Sequence, residues 1–298
     1  MRALAAPRFA KAVERMATIV DTHRNYRVLR RIEPMNRAGW LSLRGETLIG
    51  CAIDVETTGL DNRQDSIIEL ALQKFWADAA GNIIIAGRGH SWLEDPGSAI
   101  TPEITALTGI RSADVRGRRI MDPIASSLIA DADFVVAHNA GFDRPFVEKR
   151  LPDAAGRPWI CSMKDVDWRG FGFEGRTLSH LLSQMGWFYD PHRASTDVTA
   201  LLHLLDHRLS PFGTALRHAV DAGRTPSCLV EAVGAAFETK DVLKARGYRW
   251  NPAKKLWSKE IRLDAKPEEQ AWAVRYIYAG SGAPRFRPLT WVERYADC

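Results

Sequence analysis

The sequence predicts an α/β protein, a mixed sheet flanked by helices with a small α+β module after it. Three observations carry that reading. Residues 47–94 hold strand-like stretches separated by short turns, the pattern of a meander. Helical and strand-like segments then alternate as far as residue 209, as they do where helices cover the faces of a sheet. Beyond that point Pro211, Gly213, Gly223 and Pro226 interrupt the periodicity, and a shorter, basic unit begins near residue 236. The chain has 298 residues, 46% of them hydrophobic and 26% charged, an ordinary globular composition. At about 150 residues per domain this length suits one or two domains with a sizeable core.

Residues 1–22 place Leu4, Phe9, Val13, Met16 and Val20 at roughly helical spacing, which predicts an amphipathic helix. Residues 23–46 read as a basic, irregular arm. Thr47 to Val55 is an apolar, β-branched run of strand length. Strands over 66–77, 82–86 and 90–94 continue the meander around the turn at Asp78–Asn82. Residues 101–109 predict a helix, with Thr101 as N-cap, Pro102 at its first position and Gly109 as its stop. A helix over 121–131, a buried strand over 133–138, a helix opening at Asp143 and a strand at Trp159–Cys161 follow. Helices then cover 178–185 and 195–209, the second with Val198, Leu201, Leu202 and Leu205 on one face. Residues 211–235 read as a connector. In the last unit, 236–298, a short helix over 239–246 stops at Gly247, residues 248–261 form a hairpin, and 267–278 form a helix.

The net charge of +5 conceals a pattern. Residues 1–46 carry ten Lys/Arg against four Asp/Glu, residues 236–298 thirteen against eight, and residues 47–235 eighteen against twenty-four. Basic ends suit a polyanion, because Lys and Arg displace counterions from phosphates. An acidic centre repels the same partner unless its carboxylates carry metal ions. Charge placed for solubility alone is the plain alternative. Cys51, Cys161, Cys228 and Cys298 include no C-x-x-C pair, which excludes a zinc knuckle or a dense disulfide framework and fits a reducing cytoplasm. No stretch approaches the roughly 18–20 apolar residues of a membrane span, and the arginine-rich N-terminus lacks the apolar run of a secretory signal. A cytoplasmic protein without a membrane partner is the expectation.

The sharpest chemical signal is Asp54-Val55-Glu56, followed by Thr57-Thr58-Gly59. Strand side chains alternate, so Asp54 and Glu56 project to one side, at the C-terminal edge where α/β sheets hold ligands. Two carboxylates so placed repel each other unless a cation joins them, and hard oxygen ligands suit magnesium or manganese. An exposed polar strand end is the alternative. The second signal is His138-Asn139-Ala140-Gly141-Phe142-Asp143, where Asp143 opens a helix and is equally readable as a carboxylate stabilised by the helix dipole. The third is His192 followed five residues later by Asp197. A loop histidine beside a metal carboxylate can take a proton from water near neutral pH. A capping arrangement led by Ser195, with a surface histidine, is the other reading.

Together these segments, IDVETTGLD, HNAGFDRPF and HRASTDVTALL, give the order D-x-E, D, H-x4-D, each at an element end. Over about residues 48–208 the chain resembles the DEDDh (DnaQ-like) 3′–5′ exonucleases, which include bacterial proofreading epsilon subunits and RNase T-like ribonucleases. ITPEITALTGI also resembles the segment between the family's first two motifs, and the H-x4-D spacing matches the histidine branch. The resemblance implies an RNase H-like domain over 47–210 with a mixed five-stranded sheet. Asp54, Glu56, Asp143 and Asp197 would hold two divalent cations, Mg2+ or Mn2+, and His192 would be the general base. Two metals about 3.5–4 Å apart activate water and stabilise the leaving oxygen. The implied activity is hydrolysis of the 3′-terminal phosphodiester of DNA to 5′-mononucleotides, in replication proofreading or DNA repair. Exoribonuclease action on the same scaffold is the alternative, and a non-catalytic nucleic-acid-binding or polymerase-docking protein the second. Thr57 and Asn139 match family positions near the substrate. Trp159-Ile160-Cys161-Ser162 departs from the family, where many relatives have an Asp-Thr pair.

In the last unit Lys240, Lys244, Arg246, Arg249, Lys254, Lys255 and Lys259 interleave with Tyr248, Trp250 and Trp257. Basic groups can track a phosphate backbone while aromatic rings stack on bases, which makes Lys240, Lys244, Arg249, Lys254 and Lys255 candidate nucleic-acid contacts. A small unit also needs large residues for its own core, and Trp250 and Trp257 are expected to be part of that core. Docking to a polymerase or repair partner is a further expectation for this unit.

Overall fold

The computed structural model describes residues 7–39, 45–252 and 254–296. In chain order its elements are α1 (Pro7–Asp21), β1 (Arg30–Arg31), β2 (Arg37–Ala38), β3 (Leu48–Thr57), β4 (Ile67–Ala77) and β5 (Ile83–Leu93). Next come α2 (Pro102–Thr108), α3 (Ser112–Val115), α4 (Asp122–Ala130), β6 (Phe134–Ala137), α5 (Ala140–Arg150) and β7 (Trp159–Cys161). Then follow α6 (Leu178–Gln184), β8 (Trp187–Phe188), α7 (Ala194–Asp206), β9 (Arg208–Ser210), β10 (Gly213–Thr214) and α8 (Ala215–Arg224). The last elements are β11 (Ser227–Glu231), α9 (Lys240–Ala245), β12 (Arg249–Asn251), β13 (Leu256–Arg262), α10 (Lys266–Tyr276) and β14 (Arg285–Leu289). Leu4 of the expected N-terminal helix lies outside the described residues.

The main sheet has the order β2-β5-β4-β3-β6-β7. β3, β4 and β5 form the antiparallel meander, and β6 and β7 add to β3 in parallel. This is the expected mixed five-stranded sheet of the RNase H-like fold, with one addition. Two residues of the basic arm, Arg37 and Ala38, pair with Ala86 and Ile85 as a sixth edge strand. The arm is therefore laid along the domain, with Ile32 and Met35 buried. The stretch expected as two strands, 82–86 and 90–94, is one strand whose pairing with β4 shifts register at two places. Side-chain alternation splits the core into two layers: Ala52 of β3 and Phe75 of β4 face α7, whereas Cys51, Ile53 and Val55 face α4 and α5. Gly50 allows the tight centre of the first layer, since a Cβ there would lie 2.2 Å from the Phe75 ring.

Residues 211–235, expected as a connector, are structured. Thr214 caps α8 by accepting the Arg217 N–H, and Ala215, Leu216, Ala219 and Val220 of that helix complete the α7-side core. The glycines and prolines punctuate the ends of elements rather than a linker. β11 is a central strand of the second sheet, antiparallel and ordered β12-β13-β11-β14. On it Cys228, Val230, Leu243, Tyr248, Ile261, Ala273 and Ile277 build a separate small core. After β14 the chain returns to the first domain, where Trp291 packs on the α7-side core and Tyr295 joins the other layer. Among the described residues, no helix is long and apolar enough to cross a membrane.

Candidate active site

β3 ends in a turn that leaves its last acids at the sheet's edge. The Thr57 hydroxyl donates to the Gly59 carbonyl at 2.6 Å, and Asp65 accepts from the Thr58 hydroxyl and the Asp61 N–H. A Cβ at Gly59 would lie 2.5 Å from the Asp65 carboxylate, so the turn needs glycine there. Asp54 and Glu56 share the face that α7 covers, and α7 brings Asp197 to them. Asp54, Glu56 and Asp197 each offer a carboxylate oxygen, and these oxygens lie within 4.8 Å of one another. Asp143 comes from α5 on the opposite layer. It is 2% exposed, and its carboxylate takes the Val55 N–H and is held against the charges of Glu56 and Asp197.

The electrostatics of this cluster are those of a cation site. Burial, then the charges of Asp143, Asp197 and Glu56, raises the Asp54 carboxyl well above its ordinary value. Burial, then Asp197 and Glu69, pushes Glu56 up to about 8. Burial also raises Asp143 and Asp197, the latter against hydrogen bonds from Tyr189 and the His192 and Arg193 N–H groups. Three acids brought together, Asp54, Glu56 and Asp197, with buried Asp143 beside them and only hard oxygen donors, fit a divalent ion such as magnesium or manganese. The nearby cation, Arg193, is engaged elsewhere, paired with Glu69 at 2.9 Å.

The third motif is positioned by residues that motif reading did not single out. His192 is exposed and has φ of 69°, and its N–H donates to Asp197 at 2.9 Å. The N-cap of α7 is Arg193, without a side-chain cap, so the capping arrangement led by Ser195 is absent. Instead Asp197 reaches back to the His192 and Arg193 N–H groups and accepts the Tyr189 hydroxyl at 2.9 Å. Glu69, 1% exposed and directly across from Glu56 in the β3–β4 register, binds the Arg193 guanidinium, the Ala194 N–H and the Ser91 hydroxyl. A lone acid inside the apolar run SIIELALQ was the available signal for Glu69.

The second motif has a different logic. Asn139 holds φ of 81° at the start of α5, a left-handed conformation that asparagine tolerates. Burial lowers the His138 pKa to about 4, so the ring is neutral. Its Nε2 faces the Arg176 carbonyl at 2.8 Å and must carry the proton, which leaves Nδ1 to accept from the Ser162 hydroxyl at 2.8 Å. The departure at Cys161-Ser162 thus has a structural role, with Cys161 buried and Ser162 holding the histidine.

The candidate contacts of the C-terminal module are not part of this acidic cluster. Arg246 and Lys259 are neutralised by Glu268 and Glu269 within the module. Lys240, Lys244, Arg249, Lys254 and Lys255 are exposed on α9, β12 and the following turn. Trp250 is 49% exposed and packs on half-buried Trp257 at 5.7 Å, whereas Tyr248 is core. Trp250 is therefore a surface residue, and Trp257 belongs to the edge of the core.

A helix-flanked mixed sheet with acids from β3, α5 and α7 near the end of its first long strand is the arrangement of an RNase H-like exonuclease domain. The chain belongs to the RNase_T exonuclease family, whose model matches residues 51–205. It is 33% identical over 162 residues to the 3′-5′ exonuclease DinG of Bacillus subtilis (strain 168), covering 51% of this chain but 17% of that protein. It is 29% identical over 199 residues to the DNA polymerase III subunit epsilon of Treponema pallidum (strain Nichols), covering 63% of this chain and 89% of that protein. A solved structure of Exonuclease X in complex with 5′ overhanging duplex DNA superposes with a TM-score of 0.43 at 28% identity, over 58% of this chain and 99% of the other.

Proposed function

We propose that the protein is a divalent-metal-dependent 3′–5′ exonuclease that releases 5′-mononucleotides from DNA, in proofreading or repair. The observation that carries this is the convergence of Asp54, Glu56 and Asp197 within 4.8 Å, beside buried Asp143. These four side chains would hold two ions, Mg2+ or Mn2+, which lower the cost of deprotonating water and of charge on the leaving oxygen. The chain's own part is to hold the acids, orient the 3′ end and move one proton. His192 accepts that proton from the attacking water, whose oxygen bonds to phosphorus as the bond from phosphorus to the 3′ oxygen of the penultimate nucleotide breaks. The 3′ oxygen takes its proton from solvent, and a 5′-mononucleotide leaves. Thr57 and Asn139, at the ends of β3 and β6, are assigned to contact the terminal nucleotide. Similarity to an epsilon subunit supports DNA as substrate and a polymerase or repair protein as partner.

A second role falls to the C-terminal module. Cations without a carboxylate partner among the described residues at Lys240, Lys244 and Arg249, beside half-exposed Trp250, favour capture of the single strand that feeds the cleft. The experiment is digestion of 5′-labelled single-stranded DNA and RNA of one sequence in Mg2+, Mn2+ or chelator, beside Asp54→Ala. A chelator-sensitive ladder shortening from the 3′ end, faster on DNA and lost by on the order of 10³-fold in the variant, supports the reading. Faster loss of RNA replaces DNA by RNA as substrate, and undiminished turnover in the variant overturns the assignment.

A further inference from the structure

The C-terminal tail ends against the helix that carries Asp143. That helix is weakly held by its own backbone. It opens at left-handed Asn139, contains Gly141 in its first turn, and has Pro145 one turn on, which has no N–H to offer the Gly141 carbonyl. Outside contacts must therefore hold Asp143 in place. One is the Val55 N–H on its carboxylate. The other acts through the next residue, Arg144, which is 3% exposed. Its guanidinium binds Glu148 at 2.9 Å and donates through Nη1 to the backbone carbonyl of Arg294 at 2.6 Å.

Arg294 is itself anchored to both domains. Its Nη2 donates to Asp165 at 2.7 Å, just past β7, and its Nε to Glu260 at 2.6 Å, on β13 of the second sheet. The Tyr295 hydroxyl donates to the same Asp165 oxygen at 2.6 Å, and the other oxygen takes the Cys161 N–H at 2.7 Å. The Trp291 carbonyl accepts the Trp159 N–H, so the tail also runs on from β7. Arg294 Nη1 is buried without a hydrogen-bond partner among the described residues, but the ion pairs to Asp165 and Glu260 are costly to break, which gives the tail one well-defined seat.

We propose that Arg294 and Arg144 are positioning residues for Asp143, so that the C-terminal tail completes the active site of the nuclease domain. The inference rests on the reading of Asp143 as a metal carboxylate. It makes the second domain necessary for catalysis independently of any nucleic acid it binds.

The test uses the full chain with Arg294→Gln, and with Arg294→Gln combined with Asp165→Asn, which removes the buried Asp165 charge if the single variant folds poorly and leaves the half-buried Glu260 the Ser227 hydroxyl. Mn2+ affinity is measured by direct titration without substrate, and hydrogen exchange is followed across residues 140–147. The expected result in the folded double variant is roughly tenfold weaker Mn2+ binding, faster exchange over 140–147, and kcat lower by about 10–100-fold with KM within about twofold. Arg287→Gln, which breaks only the exposed pair with Glu293, should change none of these. Wild-type Mn2+ affinity and wild-type protection of 140–147 in the double variant would overturn the inference. Failure of the nuclease reading shows separately, as a wild-type protein that neither binds Mn2+ nor shortens nucleic acid.

Discussion

The acidic cleft and the basic module handle charge in opposite ways. In the cleft, Asp54, Glu56, Asp143 and Asp197 are crowded and substantially buried, and the nearest guanidinium is spent on Glu69. In the module, Glu268 and Glu269 neutralise the inner cations Arg246 and Lys259, and the outer ones face solvent beside Trp250. Buried like charges raise one another's pKa and create a demand for a compact, highly charged ion. Exposed cations keep their hydration and gain by releasing the counterions of a polyanion. On the proposed reading one region holds metal and the other nucleic acid, and substitutions should separate the two.

The largest effect expected from outside the acids is at Glu69. Glu69→Gln keeps the size of the side chain and an acceptor for the Ala194 N–H but loses the ion pair to Arg193. The His192–Arg193 segment, whose N–H groups bind Asp197, then loses its anchor on β4. A displacement of about 1 Å at a catalytic group costs up to 10²-fold. Single-turnover cleavage should fall by about 10–100-fold with little change in DNA affinity. If affinity falls and the cleavage rate does not, Glu69 serves binding instead.

The next effect concerns the cleft without metal. A carboxyl raised in the folded state stabilises the fold below its unfolded pKa, and that stability is lost as pH rises through the folded value. For Glu56 the window runs from about 4.5 to about 8, and Asp54, Asp143 and Asp197 shift in the same direction. In chelator, Tm should fall by roughly 5 °C or more between pH 5 and pH 8. Metal binds the deprotonated acids, so Mn2+ should raise Tm more at pH 8 than at pH 5. A Tm in chelator that rises over this range would show that the acids do not carry uncompensated charge.

Legibility in the sequence follows the same division. The acids were readable because each ends an element and because strand alternation alone puts Asp54 and Glu56 on one side. Glu69, Arg193 and Tyr189 were not, because their roles exist only in the register that sets Glu69 opposite Glu56 and in the fold of the loop before α7. The three long strands of the meander, the short strands β6 and β7 and most helices follow local periodicity. The sixth strand does not, since two residues of a basic arm carry no pattern. Residues 211–235 misled because Pro211, Gly213, Gly223 and Pro226 outweigh four apolar positions of α8, although the spacing of Ala215, Leu216, Ala219 and Val220 is helical. In the module, composition could not decide whether Trp250 and Trp257 build the core or meet nucleic acid. Trp250 stays at the surface and Trp257 at the core's edge, while Tyr248 fills the core because it follows the Gly247 turn directly into the space under α10.

The smallest effect tests the module's half of the comparison. Trp250→Ala removes a half-exposed ring at an edge strand, and Arg249→Gln a neighbouring exposed cation that makes no ion pair among the described residues. Stacking of one base is worth about 1–3 kcal/mol, and one phosphate contact changes the salt slope of binding by about 1. Trp250→Ala should therefore raise KM for a long single strand by at least about fivefold, with kcat unchanged. It should leave KM unchanged for an oligonucleotide too short to reach past the cleft. Arg249→Gln should flatten the dependence of affinity on salt without affecting Mn2+ binding. Equal losses on long and short substrates would place Trp250 in the support of the cleft, and the two regions would then share one task.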